Sequence, residues 1–321
     1  MRERRLIELI DAELGRARSA LPAADADRLL CPPGDDAAIV RARRLSVTSV
    51  DTMVDGVHFR TGPGWLDHED VGWRALAAAL SDLAAMGASP GEAYLALGLP
   101  PGSREPEVIA LIRGAGALAA ESGVLIAGGD LVAAPALLVS FTVVGWADEE
   151  RALIRRDGAR VGDRVAVTGT LGGAAAALAC RERGEPAPPD LDDRYRRPRP
   201  RLAEGARLAR AGVHAMIDLS DGLTVDAGHL AERSGASIDL QTRALPLQPG
   251  LDHAAADRDP VELALSGGDD YELLVCAPPG AELPDVTFIG QVTDGPAGTV
   301  TIDGAKPADD DHDGGGYEHR W

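Results

Sequence analysis

Aspartates recur at one kind of place in this 321-residue sequence, where an apolar, strand-like run or a glycine-rich turn ends. They stand at Asp35-Asp36, Asp51, Asp130, Asp218 with Asp221, and Asp269-Asp270. Taken singly, each reads as a turn or cap residue, because aspartate suits turns and is poor in strands. Repetition at strand exits is what points to chemistry, since open α/β sheets place their ligand sites there. Converging carboxylates repel one another unless cations lie between them, and hard oxygen ligands of this kind suit Mg²⁺ bridged to phosphate oxygens.

Asp82 makes a separate case. With Ser81 it interrupts an apolar helical run near the C-terminal end of that helix, where the macrodipole disfavours negative charge. An arginine or a metal ion would offset the cost of placing a carboxylate there. Gly128-Gly129-Asp130 lets the backbone approach a nucleotide closely. Gly169-Thr170-Leu171-Gly172-Gly173, ahead of an Ala-rich helix, reads either as a tight turn or as an anion site. No Walker A or G-x-G-x-x-G pattern follows a strand. His58 is either a structural histidine or a donor to a substrate phosphate. Arg155 and Arg156 are either surface residues or phosphate clamps. No G-x-S-x-G, Cys/His or H-E-x-x-H pattern supports covalent or zinc hydrolysis.

The elements that must position these residues follow from periodicity. Apolar spacing predicts helices over residues 4–18 and 70–86, the latter stopped by Gly87. Strands are expected at Leu45–Val50, Tyr94–Leu99, Val124–Ala127 and Leu137–Val144, with a helix opened by Pro106 among them. The second half restarts with strand Val165–Thr168 and continues through Ile217-Asp218-Leu219-Ser220-Asp221-Gly222 into a helix ending near Ser234. Strands Ile238–Leu240 and Tyr271–Cys276 follow. A charged, Gly-rich stretch at residues 148–162 marks the boundary between two domains, 1–150 and 151–321. The class is α/β, in the α+β mixed-sheet sense.

Composition narrows the partners. The formal charge of −19 opposes binding to nucleic acid or an anionic membrane surface. No apolar run is long enough for a membrane span, and the N-terminus lacks a signal-peptide core, so a cytoplasmic location is expected. Cys31, Cys180 and Cys276 fit neither a disulfide framework nor a zinc knuckle and read as reduced structural thiols.

The motifs, taken in order, resemble the thiamine-monophosphate kinases of the aminoimidazole-ribonucleotide synthetase superfamily, across nearly the whole chain. They are Gly34-Asp35-Asp36-Ala37-Ala38, Ser49-Val50-Asp51-Thr52-Met53-Val54-Asp55-Gly56-Val57-His58-Phe59, Leu80-Ser81-Asp82-Leu83 and Ala127-Gly128-Gly129-Asp130. Gly158-Ala159-Arg160-Val161-Gly162-Asp163, Ile217-Asp218-Leu219-Ser220-Asp221-Gly222 and Ser266-Gly267-Gly268-Asp269-Asp270-Tyr271-Glu272 complete them. The resemblance implies Asp36, Ser49, Asp51, Asp82, Asp130, Asp218 and Asp221 as magnesium ligands, with Asp51, Asp130 and Asp221 central to catalysis. It implies Gly129, Asp130, Arg156 and Ser220 as ATP contacts, and His58, Asp269 and the C-terminal Trp321 as contacts to thiamine monophosphate. Val50 departs from the family, which often has a metal-ligating threonine there; only a backbone carbonyl of Val50 can serve.

The implied reaction is in-line transfer of the ATP γ-phosphoryl group to the substrate monophosphate, which is already anionic and needs no general base. The resemblance further implies a two-domain synthetase-like fold, with the metal and nucleotide site in the first domain. It also implies a homodimer built through that domain's sheet. Selenophosphate synthetases resemble the chain in fold, but Cys31 in Leu30-Cys31-Pro32-Pro33-Gly34 lacks the setting of their reactive residue. Hydrogenase-maturation relatives end in a functional cysteine, where this chain ends in tryptophan. Aminoimidazole-ribonucleotide synthetase itself lacks the Ser266–Glu272 motif. A silent binding protein has no use for so many mutually repelling carboxylates.

Overall fold

The computed structural model describes residues 3–22, 26–31, 37–255 and 258–305. The chain divides into two compact units, Met1–Leu83 with Ala88–Glu150, and Ala84–Gly87 with Arg151–Trp321.

Among the described residues of the first unit, α1 (Glu3–Ser19) precedes two short antiparallel strands, β1 (Leu29–Cys31) and β2 (Ile39–Val40). Then come β3 (Leu45–Val54), α2 (His68–Ala85), β4 (Ser89–Leu99), α3 (Glu105–Ser122), β5 (Leu125–Ala133) and β6 (Leu138–Ala147). The last four strands named form one sheet in the order β3-β6-β4-β5. Only the β4–β5 pair is parallel; β3 and β4 both run antiparallel to β6. Residues 71–81 of α2 are all buried, as expected of a helix that is apolar over most of its surface, with Arg74 and Ser81 buried among them. Trp73, Leu76 and Leu80 lie in its core, with Leu111, Ile112 and Leu118 from α3 and Leu97, Phe141 and Val143 from the strands.

The two helices come together at glycines. A Cβ on Gly72 would lie 1.9 Å from the Leu111 carbonyl oxygen, and one on Gly114 would lie 1.8 Å from that of Glu69. Backbone cannot yield as a flexible side chain does. Gly114→Ala should therefore cost about 1–3 kcal/mol in thermal or urea unfolding, the scale of an overpacked core. Unchanged stability would show that the helices slide apart freely.

In the second unit the order is β7 (Arg164–Thr168), α4 (Gly173–Glu182), α5 (Pro189–Arg196), α6 (Leu202–Arg210), β8 (Ala215–Asp218) and α7 (Leu223–Ser234). It continues with β9 (Ser237–Leu240), α8 (Leu251–Ala254), α9 (Pro260–Ser266), β10 (Leu273–Ala277), β11 (Val286–Thr293) and β12 (Val300–Ile302). These strands form a sheet in the order β12-β9-β11-β7-β10-β8, antiparallel except for β12–β9. Val165, Val167, Ile217, Leu274 and Cys276 pack with Leu223, Ala227 and Leu230 of α7. Ala166, Met216, Leu273 and Val275 pack with Leu208 of α6. The central strands are thus buried on both faces, which explains their unbroken apolar runs.

The fold class holds, as two mixed α/β units, but several strand ends differ from expectation: the strand expected from Tyr94 begins at Ser89, that expected from Tyr271 begins at Leu273, and two more shifts fall at candidate site residues. β3 runs past Val50 to Val54 and β5 past Ala127 to Ala133, so Asp51 and Asp130 sit inside strands rather than at their exits. Both are edge strands, where one side of the ladder is open and a charged residue is tolerated. None of the three cysteines is in a disulfide; burial pushes the Cys276 thiol up, which suits an inert core residue. Among the described residues no helix is long and apolar enough to cross a membrane.

Candidate active site

β3 sets the first part of the site. Ser49 and Asp51 are two residues apart and share the face of Phe141 and Val143, their register partners on β6, which is the buried face. Ser49 Oγ donates a hydrogen bond to the Asp82 carboxylate on α2. That hydroxyl, rather than an arginine, is the partner found for the helix carboxylate. Val50 alternates to the other face and is 63% exposed. Asp130 pairs in register with Ala96, and Ala96 with Ser140. Alternation therefore puts Asp130 on the face opposite Ser49 and Asp51, while Gly129 pairs with Leu95 on their side. The structure brings Ser49, Asp51 and Asp82 to one face and leaves Asp130 on the other.

His58 sits in the turn after β3. Its Nδ1 accepts the Val54 N–H at 3.1 Å, which leaves Nε2 as the protonated, donating nitrogen of a neutral ring. Asp55 closes the same turn by accepting from the Thr61 N–H and hydroxyl at 3.1 and 2.7 Å.

In the second unit, β8 ends on buried Asp218, and Leu219–Gly222 turn the chain into α7. One carboxylate that sequence reasoning missed holds this turn. Asp226 Oδ2 accepts the N–H groups of Ser220, Asp221 and Gly222 at 3.1, 3.1 and 3.2 Å. Asp221, Asp226 and His229 bring one ligand atom each to within 4.8 Å of one another. Burial first, and then the charges of Asp218 and Asp221, push Asp226 up to about 8. A cation among these carboxylates would offset the repulsion, and their oxygens fit a hard ion such as Mg²⁺, with His229 adding one ring nitrogen at the edge of the cluster.

The Ser266–Glu272 segment lies against the same turn. Asp269 N–H donates to the Ser220 carbonyl at 2.9 Å and Tyr271 N–H to that of Leu219 at 2.8 Å. Asp269 and Tyr271 adopt φ of 67° and 50°, in the left-handed region that costs a side chain about 1–3 kcal/mol. Tyr271 hydroxyl donates to Asp269 Oδ1 at 2.9 Å, and buried side chains hold the rest. Glu272 is 0% exposed and accepts from Thr168 Oγ1 (2.6 Å), Arg194 Nη2 (2.7 Å), and Arg201 Nε (2.7 Å) and Nη2 (2.5 Å).

Asp270 Oδ2 accepts the Gly172 N–H at 2.8 Å. That amide, offered by the sequence as part of an anion loop, is thereby used inside the chain. Asp270 Oδ1 is buried without a partner among the described residues, and burial pushes the carboxyl up to about 7. Its pKa is raised above the unfolded value near 4, so the folded state binds the extra proton and stability falls as pH rises from about 4 to 7. Asp270→Asn should therefore gain stability over its parent at pH 8 and little at pH 5. An equal difference in melting temperature at both pH values would refute a protonated Asp270.

Arg155 and Arg156 are both exposed. Arg155 Nε pairs with Asp157 at 3.1 Å, whereas no side-chain partner is found for Arg156 among the described residues, so its guanidinium is the one available to an anion. Asp36 and Trp321 lie outside the described residues.

Residues 34–147 match the AIR synthase related protein N-terminal domain, and residues 160–303 match the C-terminal domain. The thiamine-monophosphate kinase of Mycobacterium tuberculosis is 39% identical over 282 residues, covering 87% of this chain and 83% of that protein. The crystal structure of thiamine-monophosphate kinase from Stenotrophomonas maltophilia superposes with a TM-score of 0.81 at 36% identity, covering 91% of this chain and 96% of the other. A further structure, AaThiL complexed with AMPPCP and TMP, superposes with a TM-score of 0.76 at 33% identity, covering 82% and 85% of the two chains.

Proposed function

The chain belongs to the AIR synthase related family, in its thiamine-monophosphate kinase branch, and from that membership we propose that it transfers the ATP γ-phosphoryl group to thiamine monophosphate, giving thiamine diphosphate and ADP with Mg²⁺ as metal. The observation that carries this reading is the Asp218–Asp221 turn, an acidic cluster at a strand end with the Asp269 segment hydrogen-bonded onto it. Ser49, Asp51 and Asp82 of the first unit, with Asp36, and Asp218 and Asp221 of the second are the proposed metal ligands; Asp130, on the other face of the sheet, is not among them. Bound Mg²⁺ would offset the charge of the two phosphates.

The chain's own groups do the remaining work. The attacking monophosphate oxygen is already anionic, so no residue need remove a proton, and catalysis rests on alignment and charge. Arg156 takes the nucleotide phosphate as a planar cation, and Ser220 and Gly129 contact the nucleotide. His58 donates from Nε2 to the substrate phosphate, while Asp269 and Trp321 hold the thiamine part. The reaction belongs to the cytoplasm. Acceptor choice tests the reading: thiamine monophosphate should yield equimolar ADP and thiamine diphosphate, and unphosphorylated thiamine should yield neither. Phosphorylation of thiamine at a comparable rate would refute it.

The proposed homodimer forms through the face of the first sheet that carries exposed Val50, Thr52 and Ala96. Val50→Asp places a charge at its centre and should convert a dimer at micromolar concentration to a monomer, as read by light scattering. A wild-type monomer, or a dimeric variant, would remove that face from the interface.

A further inference from the structure

Asp226 lies in the first turn of α7, 2% exposed, on the side of the helix that also carries buried Leu223, Ala227 and Leu230. A carboxylate among apolar residues needs a reason, and three converging amides supply it. Successive N–H groups at the start of a helix form a concave nest of the kind that ordinarily receives a phosphate. Here the chain's own carboxylate fills it. Ser220 is committed at both ends of its backbone: its N–H goes to Asp226 and its carbonyl accepts from Asp269. What it has left to offer a nucleotide is the hydroxyl.

We propose that Asp226 is the positioning residue of the nucleotide and metal turn. It fixes the backbone that carries Ser220 and Asp221, and it occupies the amides a phosphate would otherwise use. The ATP phosphates are then met by cations and side chains rather than by this turn's N–H groups. A carboxyl oxygen is suited to the task because it can accept several N–H groups at one point. The inference rests on the metal and nucleotide roles proposed above for Asp221 and Ser220.

The test uses the full chain with Asp226→Asn and Asp226→Ala, and Mn²⁺ with ATP as the probe. Three quantities are read: amide hydrogen exchange of the Leu219–Leu223 segment, Mn²⁺–ATP affinity, and kcat beside KM for thiamine monophosphate. The alanine variant should exchange faster in that segment alone, bind Mn²⁺–ATP about 10–100-fold more weakly, and lose kcat with KM for the acceptor nearly unchanged. The asparagine variant keeps one acceptor oxygen without the charge and should fall between it and the parent. Should the alanine variant fail to fold, the asparagine variant decides. A folded variant of either kind with parental exchange in the turn, or with parental Mn²⁺–ATP affinity, overturns the proposal. Parent protein that binds Mn²⁺–ATP yet forms no thiamine diphosphate would refute the function proposed above and leave this inference standing.

Discussion

Asp221→Asn should lower thiamine diphosphate formation at saturating substrates by about 10²–10³-fold or more, the scale on which one charge-stabilising group acts. Melting temperature should stay within a few degrees of the parent. The substitution preserves shape while removing one of several mutually repelling carboxylates. The turn itself is held by other groups, the Asp226 carboxylate and the Ser220 carbonyl bond to Asp269. Stability and rate therefore separate at this position. Asp51→Asn, on the buried face of β3 beside Ser49, should behave in the same way. Initial rates with the parent and both variants, each checked by thermal melting, decide the matter. More than a tenth of the parental rate in both variants would contradict the metal assignment.

Glu272→Ala should produce the opposite separation, a loss of about 3–5 kcal/mol in stability and a melting temperature lower by roughly 5–15 °C. Removing this carboxylate leaves Arg194 and Arg201 without the anion they converge on, deep in the second unit. Burial alone would push Glu272 up, but hydrogen bonds from Arg201 and the charges of Arg194 and Arg201 outweigh it and hold the group below the usual glutamate value. A depressed folded pKa gives stability that is present above the unfolded value near 4.3 and is lost as pH falls through the lower folded one. The difference between parent and variant should therefore narrow below about pH 4 and stay constant from pH 5 to 8. A variant within 1 kcal/mol of its parent at pH 7 would show that the two arginines find other partners.

Local signals in the sequence were enough for the long apolar elements. Residues 70–86 and 165–168 announce themselves by period and composition, and the structure places helix and strand there within a few residues. The Asp218-Leu219-Ser220-Asp221-Gly222 turn was equally legible, since an apolar run ends there and a glycine opens the next helix. Sheet direction was not. Mixed sheets were expected, but alternation of strands and helices does not say which strands pair or in which sense, and most pairs here are antiparallel. Asp51 and Asp130 read as strand ends because aspartate disfavours strands, and only the sheet order reveals that both lie on tolerant edges.

Asp226 and Glu272 escaped for a different reason. Each looks like a solvated charge in its own segment, and each is buried by partners that periodicity does not reveal. The partners of Glu272 are arginines 71 and 78 residues upstream. The one hint for Asp226 was its place between Leu223, Ala227 and Leu230 on a helix whose apolar face it interrupts.

The account's central claim is tested most directly by incubating the purified chain with ATP and thiamine monophosphate, with and without Mg²⁺, and following thiamine diphosphate itself. Product that forms with the metal and stops when it is chelated is the predicted result. Folded protein that forms no thiamine diphosphate in the presence of Mg²⁺, or forms it equally well after chelation, would contradict the claim.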